Sequence, residues 1–186
     1  GGLSLDFQLA LPPFNYDLSH SGKNASADWS FFTCYNTEEA HSLLEVNASH
    51  NDKDYILAIN WKKAAEHAAK GDFDWKPCKY AHNVMHEDTE QATSEILNKV
   101  KVIDTRKYND FLYLIPCPKS PHGVDVDPSG EYIVGNGKLS ANLPVFSFTK
   151  IQDAIKNHQF DGKVDGINVI KYESALHGEV QSPGLG

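Results

Sequence analysis

One imidazole in a stiffened loop is the first candidate for chemistry. In Pro116-Cys117-Pro118-Lys119-Ser120-Pro121-His122-Gly123 the prolines fix φ and remove backbone donors, and Gly123 lets the chain pass close behind His122. The ring is therefore aimed rather than free to wander. Such a histidine suits a transition metal, since imidazole is a borderline ligand that tolerates redox change. An isolated histidine is also, just as simply, a packed or solvated surface residue. Tyr35, Glu38 and Asp54 offer oxygens of the kind a hard cation such as calcium takes in an irregular cage. Read without context, Glu38 and Asp54 are ordinary exposed acids.

The remaining candidates are weaker. His82 and His86 would share one face of a strand and form a conceivable metal pair, and His41 with His50 is another; all four read equally well as solvated. Lys119 and Lys138 are the basic residues nearest the proposed pocket and could supply a proton or orient an oxygen, or be solvated turn lysines. Cys34, Cys78 and Cys117 cannot all pair within the chain and show no C-x-x-C spacing, so neither a disulfide framework nor a zinc knuckle is indicated. Cys34 and Cys117 read as small packed residues.

Strands must position these groups. Val124 and Val126 alternate into a strand after His122, Asp127-Pro128-Ser129-Gly130 turns, Tyr132-Ile133-Val134 returns, and Asn136-Gly137 turns again. Residues 143–148 close this blade-like unit. Strands are also expected at 29–33, 55–59, 101–104 and 111–115, with the next one beginning at 169–172, from their aromatic and β-branched content. Helical spacing of Ala64, Ala65, Ala68 and Ala69 before Gly71 predicts a helix over 62–70, and Ile151, Ala154 and Ile155 predict another over 150–157. A helical turn near 40–44, a weak strand signal at 80–85 and either a strand or a turn of helix at 89–97 complete the pattern, while 1–22 reads as irregular. The expected class is all-β with short surface helices.

The chain has 186 residues, 40% of them hydrophobic, enough for one domain or part of a larger one. Blades of about 40–50 residues would make roughly four, too few to close a ring of the usual size. A net charge of −8, from 17 Lys+Arg against 25 Asp+Glu, argues against nucleic acid or an anionic membrane as partner. No apolar run is long enough to cross a bilayer.

Four segments together resemble the nitrous-oxide reductase family, specifically its Sec-exported, so-called atypical branch. They are Asp28-Trp29-Ser30-Phe31-Phe32-Thr33-Cys34-Tyr35-Asn36-Thr37-Glu38, the P-C-P-K-S-P-H-G run, Gly135-Asn136-Gly137-Lys138-Leu139 and Leu176-His177-Gly178-Glu179-Val180. The resemblance implies that residues 1–186 are an internal part of the catalytic domain, a partial seven-bladed β-propeller, with the cupredoxin domain and the remaining blades absent. It implies that His122 is a ligand of the catalytic copper–sulfide cluster and that Tyr35, Glu38, Ala48, Asp54 and Ser120 hold calcium. Asp52 is an alternative to Asp54, and Ser120 stands where the family has asparagine. His20 and His177 lie in family-like segments without matching a ligand motif. Also implied are the last step of denitrification in the periplasm, nitrous oxide as substrate, a c-type cytochrome or similar electron donor, a homodimer, and an electron-entry copper centre outside this chain. The rival expectation is a non-catalytic propeller that binds proteins or ligands, for which the blade turns alone suffice.

Overall fold

The computed structural model describes residues 5–35, 53–76, 99–138 and 140–181. These residues are mostly β. The strands are β1 (Gln8–Ala10), β2 (Asn15–Ser21), β3 (Trp29–Tyr35), β4 (Lys53–Asn60), β5 (Asp74–Lys76), β6 (Val100–Asp104) and β7 (Leu112–Pro118), followed by β8 (Pro121–Val126), β9 (Tyr132–Gly137), β10 (Asn142–Ser147), β11 (Phe160–Val164), β12 (Ile167–Ile170) and β13 (Leu176–Gln181). Three helices join them: α1 (Trp61–Lys70), α2 (Phe148–Lys156) and the single turn α3 (Tyr172–Ala175). Among the described residues they form three open sheets, ordered β1-β6-β5, β13-β10-β9-β8 and β11-β12-β7-β4-β3-β2.

The sheets stack face to face, and the sequence shows why. In β3, β4 and β7 both faces are apolar, so the runs read as continuous rather than alternating, as expected of strands covered on two sides. One face presents Phe31, Ile56, Ala58, Ile115 and Cys117 to Val124, Val126, Ile133 and Phe146 of the four-stranded sheet and to Ile151 and Ala154 of α2. The other presents Cys34, Leu57, Ile59, Leu112 and Leu114 to Ile103 of β6 and Ala64 of α1. Stacked open sheets of this kind, with no closed barrel among the described residues, are consistent with an all-β, partial propeller-like fold.

Both longer helices sit as expected. α1 starts where the Asn60 side chain accepts from the Lys63 amide and stops at Gly71, whose φ of 90° is the left-handed stop that glycine adopts freely. In α2 the Ser147 side chain accepts from the Lys150 amide, and Phe148, Ile151 and Ala154 form the buried stripe. The Glu131 carboxylate accepts from the Ser147 hydroxyl (2.5 Å) and the Thr149 hydroxyl (2.8 Å), tying the β8–β9 turn to the helix start.

Three local expectations need correcting. Residues 15–21 are not irregular: they form β2, which pairs antiparallel with β3. Asn136 and Gly137 do not turn; they end β9, paired with Gly123 and Pro121, and the chain bends only beyond them, where the Ser140 amide donates to Gly137 O. The strand expected at 169–172 ends at Ile170 and Tyr172 opens α3. Rather than starting a new sheet, β12 runs parallel to β7. The features expected at 40–44, 80–85 and 89–97 lie outside the described residues.

Candidate functional site

His122 lies in a β-bulge. Pro121 pairs with Gly137 and Gly123 with Asn136, so two steps along β8 match one along β9 and His122 is the extra residue. A bulge turns the strand locally and re-aims the side chain it carries. Here it aims His122 towards β2, the edge strand of the six-stranded sheet, with Nε2 3.7 Å from Asp17 Oδ2. That separation is too long for a hydrogen bond and short enough for charge attraction. The ring is 47% exposed, leaving it open to an incoming ligand.

Asp17 is delivered by a second bulge. Tyr16 pairs with Cys34 but Ser19 pairs with Phe32, so β2 also carries one extra residue. The fully buried Thr33 fills the gap: its hydroxyl accepts from the Leu18 amide (3.2 Å) and donates to the Leu18 carbonyl (3.3 Å). Two facing bulges, one on each sheet, bring the carboxylate and the imidazole together. His20 finishes the seam. Its Nδ1 accepts a 2.7 Å hydrogen bond from the Val126 amide of β8, which fixes the proton on Nε2. The Asp125 carboxylate, 3.6 Å from that same Nδ1, thus faces a lone pair and is not an ion-pair partner.

A second arrangement braces the loop before His122. Asp54, 5% exposed, accepts a 2.9 Å hydrogen bond from the Ser120 amide. Ser120 has φ of 59°, in the left-handed region that non-glycine residues rarely adopt, and its carbonyl accepts from the Lys138 amide (2.9 Å). Two of the expected calcium residues are therefore in contact, two positions ahead of His122. Tyr35 ends β3 next to Cys34, whose cross-strand partner is Tyr55, beside Asp54. Glu38, Ala48 and the alternative Asp52 lie outside the described residues, as do His41, His50, Cys78, His82 and His86. Among the described residues no three His, Cys, Asp or Glu side chains converge on a point where they could hold a metal ion.

The two described cysteines are inert. Burial first, and the neighbouring Asp54 carboxylate second, push both the Cys34 and Cys117 thiols above their ordinary range, so neither supplies the thiolate needed for attack or ligation. Cys34 Sγ instead donates to the Tyr55 carbonyl at 3.2 Å. Lys138 is exposed in the turn after β9. His177 is on β13, the strand at the opposite edge of the sheet from β8, with its ring edge-on to Tyr132 at 4.9 Å.

Chemically, the seam fits a metal ligand. A metal-binding imidazole needs one nitrogen free and gains from a carboxylate that accepts from the other; His122 and Asp17 face each other as such a pair would, 3.7 Å apart and so short of the hydrogen bond itself. On the neighbouring strand Asn136 Oδ1, on the residue paired with Gly123, is buried without a hydrogen-bond partner among the described residues. An acceptor oxygen left open in this way suits a cation or a donor group. Sequence reasoning missed Asp17 and Thr33, and gave His20 no role. The alternation of Tyr16, Leu18 and His20 with Asn15, Asp17 and Ser19 was the available signal for a strand there.

Fold and seam together define a partial β-propeller with an aimed histidine at a sheet edge. The chain is similar, at low identity, to nitrous-oxide reductases. It is 27% identical over 151 residues to the nitrous-oxide reductase of Pseudomonas fluorescens, covering 79% of this chain and 20% of that protein. It is likewise 27% identical over 143 residues to that of Stutzerimonas stutzeri, covering 75% of this chain and 18% of that protein. The chain thus spans about a fifth of the length of the curated relatives it matches. No protein-family model matches it.

Proposed function

We propose that this chain is part of the catalytic propeller of a periplasmic nitrous-oxide reductase of the Sec-exported branch. The observation that carries the reading is His122, half open in its bulge with a carboxylate behind one nitrogen, in a chain similar to nitrous-oxide reductases. His122 would hold one copper of a copper–sulfide cluster, with the remaining ligands outside this chain. When bound, that cluster supplies the two electrons that, with two protons, convert nitrous oxide to dinitrogen and water. The substrate is small, apolar and inert, so side chains have little to grip and their work is geometric.

Asp17 faces Nε2 of the imidazole across 3.7 Å and would orient the ring on closing to hydrogen-bond distance. Asp54 holds the Ser120 amide and so fixes the loop that delivers the histidine. Tyr35, Glu38, Ala48, Asp54 and Ser120 would form a calcium site with the same bracing effect, since calcium favours carboxylate and carbonyl oxygens. The electron-entry copper centre, a c-type cytochrome donor and a homodimer belong to the whole protein on this reading.

The test uses the full-length protein produced with abundant copper. Copper analysis and visible spectroscopy of wild type and His122→Ala are expected to show loss of the cluster signal in the variant, with the electron-entry centre retained and nitrous-oxide reduction abolished. A folded wild-type protein that keeps no copper would sink the enzyme reading in favour of a non-catalytic propeller. An unchanged cluster in the variant would remove His122 from it.

A further inference from the structure

Away from the seam, His67 in the last turn of α1 stands between two carboxylates. Its Nδ1 is 2.8 Å from Asp72 Oδ2 and its Nε2 is 2.8 Å from Asp110 Oδ1. A carboxylate only accepts, and a neutral imidazole has one N–H and one lone pair. Both contacts at this length therefore require two N–H groups, which is the imidazolium. The ring is 14% exposed and lies against the rings of Tyr108 (5.5 Å) and Phe111 (5.4 Å).

The other charged groups around it fit a cation. Lys63, one turn back on α1, binds the second oxygen of Asp110 (2.7 Å) and the Asp110 carbonyl (3.0 Å), leaving Oδ1 to the imidazole. Asp104, on the strand that α1 packs over, is turned to the Arg106 amide instead. A positive ring in the final helical turn also opposes the negative end of the helix dipole.

We propose that His67 is a protonation-controlled latch that pins the end of α1 to the turn entering β7. α1 follows β4 directly and the Asp110 turn leads into β7, so the latch lies beyond the end of two central, adjacent strands where Ile59 pairs with Leu112. With two protons the ring holds Asp72 and Asp110 together. With one, it satisfies a single carboxylate and turns a lone pair on the other, and the contact opens. The latch is therefore closed on the acid side and released as pH rises.

Hydrogen exchange followed by mass spectrometry on the full-length protein tests this. After correction for intrinsic exchange, peptides covering 61–72 and 107–112 are expected to open more in wild type at about pH 9 than at about pH 6, by up to about tenfold per pH unit while the closed form holds the second proton and the open form does not, and to level off once both have lost it. Asp110→Asn should abolish the rise while keeping protection at high pH, because the amide oxygen can stay on Lys63 and the amide N–H can donate to neutral Nε2. In His67→Gln the same peptides should show no pH-dependent opening beyond intrinsic exchange. Wild-type protection that does not change with pH, or a wild-type-like rise in either variant, would overturn the latch.

Discussion

Gly130→Ala should be among the most damaging single-methyl additions in this fold. Gly130 sits in the β8–β9 turn at φ 77°, and a Cβ there would overlap the Lys23 carbonyl and come within 2.9 Å of Ser26 Oγ. Lys23 to Ser26 form the short turn between β2 and β3, which is stitched to the hairpin by the Ala25 amide on Ser129 O (3.1 Å) and Asn24 Nδ2 on Pro128 O (2.7 Å). Relieving the overlap means moving one turn off the other. The left-handed backbone costs alanine about 1–2 kcal/mol, and two stitches at about 1 kcal/mol each bring the total to about 3–4 kcal/mol.

Gly71→Ala is the control. Gly71 has φ of 90° but nothing within 4 Å of an added Cβ, so only the backbone cost of about 1–2 kcal/mol applies. Urea unfolding of both variants against wild type measures the difference. If Gly130→Ala destabilises no more than Gly71→Ala, the inter-sheet stitching is not what the glycine protects, and the reasoning fails.

Two further outcomes are expected. Thr33→Val keeps shape but strands the Leu18 amide and carbonyl in the β2 bulge, at a cost of about 1–3 kcal/mol, which Thr33→Ser should largely restore; equal midpoints for valine and threonine in denaturant would show that the hydroxyl is idle. Asp127 accepts first from the Tyr132 amide and then from Ser129, which holds its carboxyl down from 3.8 to about 2. Its contribution is therefore complete above the unfolded value and disappears as pH falls from about 4 to about 2, so acid titrations of wild type and Asp127→Asn should diverge inside that window and run parallel above it.

Much of the architecture was legible. The apolar runs 55–59 and 111–115 announced central strands because both their faces are covered, and the alanine spacing before Gly71 announced α1. His122 was legible as an aimed ring because prolines and glycine act locally. Its direction was not, since a bulge exists only relative to the strand it is paired with, and the partner residues Asn136 and Gly137 read locally as a turn. β2 was missed for a related reason: its residues are mostly exposed and polar, and what makes them a strand is the β3 ladder and the buried Thr33 hydroxyl. His67 gave no signal either, because Asp72 and Asp110 meet it from opposite sides only after the sheet has formed.

Placing Asp17 and His122 on different sheets makes their spacing a gauge of how the two layers are seated. Slippage of one layer over the other would change that gap while leaving the internal pairing of each layer intact.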